Sequence, residues 1–378
     1  MSLSTALHGA LSGLSAAGRA SGVVSENIAT AFTPGFARRS IELGTNASTG
    51  GVRVLGITRH GDLAILANRR TADAEYAGAN TLAAFHTTMQ ALVGTATDAD
   101  GIVARLADLE SSLVSAASLP SSQQRLDQVV SDATSLASTI SDASEGLRTL
   151  RTQAERNITQ QVDRVNVLLT DIQDLNLDIT AIESSGGNPN ALLDQRQLLI
   201  DEVNEVIPVN VLSRDYNQVA LYSQGGAILL DGSAATLSFA GVRDTMPHMT
   251  LENGLLSGLE INGMAIATGG ARNALAGGTL EASFKIRDEL AVSAQADLDA
   301  VARDLIERFQ DPTVDGTLTA GEAGLFTDDG AALNVAQEVG LAGRLRLNAL
   351  VEPAEWGERW RLREGLGATA GGTSGASG

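Results

Sequence analysis

The sequence contains no cysteine, a single lysine (Lys285) and only 3% aromatic residues in a chain of 378. Without thiols there can be no disulfide staples, thiolate metal sites or cysteine nucleophile. With one lysine, a P-loop and a Schiff base elsewhere in the chain are both excluded. So few rings argue against a large aromatic-lined ligand pocket. Positive charge is scarce too: 26 basic residues face 45 acidic ones, and the net charge of -19 repels a phosphate backbone, which removes nucleic acid as a default partner. No window of about 18 residues is uninterruptedly apolar, so neither a transmembrane helix nor membrane insertion is expected. The N-terminal stretch lacks the basic start and unbroken apolar core of a cleaved secretory signal.

What the chain does have is period. Leu3, Leu7, Ala10, Leu14, Ala17, Ser21, Val24 and Ile28 step alternately by four and three, the seam of a coiled coil. Burying those few side chains does not offset the entropy of ordering the helix that carries them, so the seam needs a partner. On spacing alone that partner is either another helix of the same chain or a neighbouring subunit. The segment Thr33, Pro34, Gly35, Phe36 ends the helix, because proline cannot continue it and glycine permits reversal. Short strands or a long loop are expected over residues 41–59, then helices over 62–93 and 102–117.

After Pro120 the apolar period continues for some sixty residues, from Leu126, Val129, Ala133, Leu136 and Ile140 to Ile172, Ile179 and Ile182, interrupted only by Gly146. At 1.5 Å per residue such a helix would reach about 90 Å, so the segment predicts a rod or a hairpin kinked near Gly146. Residues 184–190 (SSGGNPN) form a turn cluster, and a helix follows that stops before Pro208. The period then changes to two in VNVLS, QVALYS and AILLDG, predicting a β-rich module to about Phe284, with the glycine pairs Gly225-Gly226 and Gly277-Gly278 as turns. Helical spacing returns from Ile286 to Phe309, and from Leu366 the chain is a Gly, Ser and Ala linker.

The fold class expected is mainly α with an inserted β-rich domain, made of long helical rods or coiled coil in an elongated multidomain chain. Its divisions are an N-terminal axial helix (1–32), a bend and extended segment (33–61), a long-helix domain (62–206), the β-rich insertion (207–284), a returning helical segment (285–350) and a C-terminal linker segment (351–378).

Chemistry is hard to find. His8, His60, His86 and His248 lie in four separate segments with no second ligand at metal spacing, and no nucleophile, base and orienting group fall together in any motif, so no cofactor and no enzymatic activity is expected. One loop matches a calcium template: Asp311, Thr313, Asp315, Thr317 and Glu322 supply oxygens around Gly316. Pro312 and the threonine at the third position fit that template poorly, and a plain turn is the preferred reading.

The residues that carry identity are Asn27-Ile28-Ala29, then Thr33-Pro34-Gly35-Phe36 with Arg38 two residues on. They resemble the signature of bacterial flagellar axial proteins. Further runs, Ala191-Leu192-Leu193-Asp194-Gln195-Arg196, Leu198-Leu199-Ile200-Asp201-Glu202, the stretch from Gly225 to Gly232, and Gly278-Thr279-Leu280 leading to Arg287-Asp288-Glu289, look like the flagellar hook-associated protein 1 family. Glu26, Thr30 and Phe36 depart from the usual pattern without removing the bend. The resemblance implies a structural subunit, exported by the flagellar type III apparatus without a cleaved signal. It would lie outside the cell as a ring of identical copies joining hook to filament. Its implied partners are itself, the hook protein, a second hook-associated protein and, where the C-terminal region is present, an export chaperone. The resemblance assigns axial contacts to Leu3, Leu7, Ala10, Leu14, Ala17, Val24 and Ile28, and the bend to Asn27, Thr33, Pro34, Gly35, Phe36 and Arg38. Family members close with a long C-terminal helix paired to the N-terminal one, whereas residues 366–378 are linker-like, so a fragment or a shortened copy is expected. The alternatives are a hook or distal rod component, or an exported helical adhesin or calcium-binding module.

Overall fold

The structure is a computed structural model that describes residues 3–45, 51–352, 355 and 357–371. The chain divides into two compact units, each assembled from separate stretches of sequence. The first comprises Met1–Asn80, Ile158–Ala240 and Gly258–Ala282, and the second Thr81–Asn157, Gly241–Ser257 and Ser283–Gly378.

The periodic segments become helices where the spacing puts them. Helix α1 spans Leu3–Ala29. Strands β1 (Arg39–Thr45) and β2 (Val52–Arg59) pair antiparallel, with a register shift between Glu42 and Leu43. Then come α2 (Leu63–Val93) and α3 (Ile102–Ser118). Helix α4 runs from Gln123 to Ser184 as 62 residues without a break. Of the two expectations, a rod or a hairpin kinked near Gly146, the uninterrupted helix is the one observed. A Cβ there would sit 2.4 Å from the Leu92 side chain, so the glycine lets α2 pack closely on α4 rather than bending it. Helix α5 (Asn190–Val206) ends at Ile207, before Pro208, because the residue preceding proline is pushed out of the helical region.

In the first unit the buried residues Ile158, Val162, Val165, Leu169, Ile172 and Ile179 of α4 form the base on which strands settle. Strands β3 (Val209–Ser213), β4 (Val219–Ser223), β5 (Ile228–Asp231) and β6 (Ser233–Ala234) form a sheet in that order. Strands β7 (Leu237–Ser238), β8 (Leu259–Ile261) and β9 (Met264–Ile266) form a second. Two asparagines of α4 hold them by the main chain. The Asn166 amide donates to Leu237 O and accepts from Leu237 N, both at 2.8 Å. Asn176 does the same for Val219, at 3.0 and 3.2 Å. A buried carboxamide must be satisfied, and pairing it with a peptide unit satisfies both groups at once.

Strand structure stops earlier than the alternation implies. Gly278 has φ +79 and opens helix α6 (Gly278–Lys285) instead of turning a hairpin, so Phe284 is helical. A Cβ at Gly278 would lie 2.4 Å from Val206 O, which is why glycine stands there. A π-helical turn, Ile286–Leu290, joins α6 to α7 (Ala291–Gln310). Along α7 Leu298, Ala302, Leu305 and Ile306 are buried while Val301 is exposed.

The second unit buries one cluster, in which Phe85, Leu109, Val129, Leu136, Ile140 and Leu147 meet Leu298, Ile306 and Phe326. Strand β10 (Phe326–Asp328), helix α8 (Leu341–Arg344) and strand β11 (Leu345–Leu347) complete it, β10 and β11 pairing antiparallel. Among the described residues no helix is long and apolar enough to cross a membrane.

Candidate functional site

Helix α1 buries the wrong face for a self-contained bundle helix. The seam residues Leu3, Leu7, Leu14 and Ile28 are 90%, 62%, 72% and 73% exposed, and Ala10, Ala17, Ser21 and Val24 are exposed with them. The side turned inward carries Ala16 and Val23, 4% and 6% exposed, and lies along the β1–β2 hairpin. Ser12 Oγ accepts from Val52 N at 3.1 Å, and a Cβ at Gly51 would meet that hydroxyl at 2.3 Å. Two buried apolar side chains and one hydroxyl contact leave the whole heptad stripe in water, an arrangement that exposed hydrophobic surface makes costly unless something covers it.

The bend is built around Asn27. Its side-chain amide donates to Arg39 O and accepts from Arg39 N, both at 2.8 Å, so the chain that leaves α1 is tied back to it where β1 begins. Thr33 N donates to Thr30 O and Phe36 N to Thr33 O, closing the turn. Gly35 has φ +78, and a Cβ there would lie 2.5 Å from Leu198 Cγ, so both the backbone angle and the space demand glycine. The Arg39 guanidinium stacks 5.0 Å from the Phe36 ring centroid. Thr33, Pro34 and Arg38 are exposed.

Sequence reasoning quoted helix α5 for its resemblance but missed its task. One of its faces receives everything that follows the bend. Asp194 Oδ2 accepts from Arg39 Nη2 and Oδ1 from Arg59 Nε, each at 2.7 Å, and Gln197 takes a second bond from Arg59. Arg39 also pairs with Glu26. Two turns on, Asp201 accepts from Arg70 at 2.6 Å and from Arg69. Asn190 donates to Ile57 O and Asn204 to Arg70 O. Residues 190, 194, 197, 201 and 204 recur by three and four, as one helix face requires. The doubled arginines 38–39 and 69–70, rare cations in an acidic chain, were the signal that could have located it.

Beside this anchor is a groove of about 850 Å³, lined among others by Arg19, Val23, Ile41, Leu55 and Leu193. Arg196 of α5 is buried and holds Asn176 Oδ1 and Asn217 O, both at 2.7 Å. Burial, with repulsion from Arg59, pushes its pKa down to about 10, partly offset by Glu183.

The Asp311 loop serves the chain itself. Asp311 accepts from Thr313 N at 2.8 Å, which holds its carboxyl below the usual range. Burial raises the Asp315 pKa, but bonds from the Thr317 hydroxyl, Leu366 N and Thr317 N outweigh it and leave it lowered. Glu322 accepts from Thr319 N. The loop thus clips residues 365–367: Thr317 Oγ1 accepts from Gly367 N at 3.0 Å, and a Cβ at Gly365 would meet that threonine. Among the described residues no three His, Asp or Glu side chains are grouped to hold a metal ion. The four histidines remain in separate segments, and His60 bonds Ser40 at 2.6 Å.

Comparison with known proteins gives one family. The model described as the flagellar hook-associated protein FlgK helical domain matches residues 87–326, more than half of the chain. Flagellar hook-associated protein 1 of Bacillus subtilis is 27% identical over 215 residues, covering 52% of this chain and 41% of that protein. The protein of the same name in Escherichia coli is 33% identical over 91 residues, 24% of this chain and 17% of that one. The flagellar hook junction protein FlgK from Burkholderia pseudomallei superposes with a TM-score of 0.55 at 22% identity, covering 69% of this chain and 46% of its own. The matched segments thus span less than half the length of each relative.

Proposed function

This chain belongs to the flagellar hook-associated protein FlgK family, a family of structural flagellar proteins, and from that premise we propose that it is a subunit of the joint between hook and filament. The observation that supports this reading is the orientation of α1. Its heptad stripe from Leu3 to Ile28 faces solvent, while its opposite side is attached to its own chain through Ala16, Val23, Ser12, Glu26 and Asn27. A stripe of that kind is covered by knobs-into-holes packing against neighbouring helices. We assign the subunit contacts to Leu3, Leu7, Ala10, Leu14, Ala17, Val24 and Ile28, and the shaping of the bend to Asn27, Thr33, Pro34, Gly35, Phe36 and Arg38.

In this reading identical copies form a ring at the hook tip after type III export. The hook protein lies on one side, a second hook-associated protein on the other, and where the C-terminal region is present an export chaperone accompanies the free subunit. Binding energy comes from burying the stripe, which is worth about 1.5–3 kcal/mol per large aliphatic side chain. Replacing Leu7 and Leu14 by Asp places two charges on the seam without touching the hairpin side. Cells carrying L7D/L14D should lose motility and release filament subunits into the medium; ordinary swimming on soft agar would refute the assignment.

A further inference from the structure

Charge is distributed very unevenly along the chain. Residues 1–60 contain five arginines and only two acidic residues, so the remainder holds 21 basic and 43 acidic residues. The sign therefore reverses between the segment bearing α1 with its hairpin and the rest. Arg39 and Arg59 are consumed by Asp194. The other three, Arg19, Arg38 and Arg53, are exposed and form no ion pair among the described residues. They accompany the exposed leucines of α1 and, on the hairpin, exposed Leu43 and Leu55.

The same unit carries the opposite pattern on α4. Val167, Asp171, Asp174 and Asp178 follow one another by four, three and four, which places them on one helix face, with Asp163 and Leu177 adjoining it. All six are exposed, Val167 and Leu177 by more than half, and none of these aspartates is in an ion pair among the described residues. One unit thus carries a segment with three exposed, unpaired arginines against one exposed, unpaired carboxylate (Glu42), together with exposed leucines, and an acidic, apolar face on α4; neither set of charges is paired among the described residues.

We propose that these two surfaces mate between copies: the Arg19, Arg38 and Arg53 surface of one subunit docks on the Asp171, Asp174 and Asp178 face of α4 in the next. Two different patches meeting head to tail make a heterologous contact, the kind that closes into a ring or continues as a helix, whereas a self-complementary patch would stop at a dimer. Opposite potentials steer the encounter and fix its register, and the apolar residues within each patch supply the burial. Nucleic acid fits the basic surface less well, because the acidic majority of the same chain repels it. The proposal rests on the subunit reading above and adds the counter-surface and its salt dependence to it.

The test is sedimentation velocity of the purified full chain across a sodium chloride series. Wild type should associate at low salt, and the association should weaken at least about tenfold as the screening length falls to roughly 8 Å near physiological salt. R19E/R53E and D171R/D174R should each be monomeric at low salt, with unchanged circular dichroism because all four positions are exposed; R19Q/R53Q should weaken association less than the reversal. Mixing the two reversed variants should restore association beyond a dimer, because each interface between unlike variants again joins opposite charges, and the fourfold variant should associate alone for the same reason. A wild type that stays monomeric at low salt, association insensitive to salt, or reversed variants that assemble like wild type would each overturn the proposal. Should association be salt-insensitive yet abolished by L7D/L14D, the seam assignment stands and this one falls.

Discussion

Glu155 and Arg287, 132 residues apart in sequence, form an ion pair at 2.8 Å in which neither side chain retains any exposure. Glu155 also accepts from Val242 N at 2.9 Å, and Arg287 reaches Ser257 O and both oxygens of Asp288 while lying 4.9 Å from the Phe284 ring centroid. Nearby, Arg151 donates to Arg287 O and to the carbonyls of Met246, Pro247 and Met249. The loop from 241 to 257 is held in the second unit by these bonds, by Thr152 paired with Thr245 and by the buried Leu256.

Breaking that pair from one side leaves a buried charge without its partner. Glu155→Leu should lower stability by about 3–5 kcal/mol, whereas the double replacement Glu155→Leu with Arg287→Met should cost clearly less than the sum of the two single changes. Urea unfolding of the four proteins in a double-mutant cycle measures the coupling, and additivity would show that the pair contributes nothing of its own.

Asp194 should act locally. Removing its charge in Asp194→Asn weakens the hold on Arg39 and Arg59 together, each bond to a charged group being worth about 1.5–3 kcal/mol, and leaves them Glu26 and Gln197. Hydrogen exchange in residues 39–59 should accelerate by at least about tenfold, while amides in α4 keep their protection. Uniform acceleration throughout the first unit would mean that Asp194 supports the whole core and not the hairpin alone.

Asp299 gives a pH dependence of defined sign. Burial pushes its pKa up, against the lowering effect of hydrogen bonds from Ala342 N, Gly340 N and Gln295. A carboxyl whose folded pKa lies above its unfolded value binds its proton more tightly when folded. Its contribution is therefore complete below the unfolded pKa of about 3.9 and is lost as pH rises through the folded value. In Asp299→Asn this loss disappears, so the melting temperature of the variant relative to wild type should rise as pH climbs above about 4. A constant difference across the range would rule out Asp299 as the source.

Helix positions were legible because burial follows period: Leu126, Val129, Ala133, Leu136 and Ile140 recur as the buried face of α4. The seam was legible as a stripe, but spacing alone could not say which side of α1 its own hairpin would take, since Ala16 and Val23 form a weaker stripe than the leucines. The anchor on α5 was not legible because ion pairs between residues 131 to 155 apart leave no local signature. Gly146 left a rod and a kinked hairpin both open, and Gly278 suggested a hairpin turn, for a shared reason. Glycine marks both flexible backbone and tight approach, and here Leu92 and Val206 explain them. The Asp311 loop has the oxygen spacing of a cation site, yet those oxygens satisfy N–H and O–H groups of their own chain.

Asn166 and Asn176 read strand backbone, not strand side chains. Substitutions along the outward faces of β4 and β7 therefore leave the docking of both sheets on α4 intact, provided the peptide units at Val219 and Leu237 stay in register. The frame of this unit is thus set by two carboxamides on one helix, and its outer face can carry side chains of any chemistry without altering that frame.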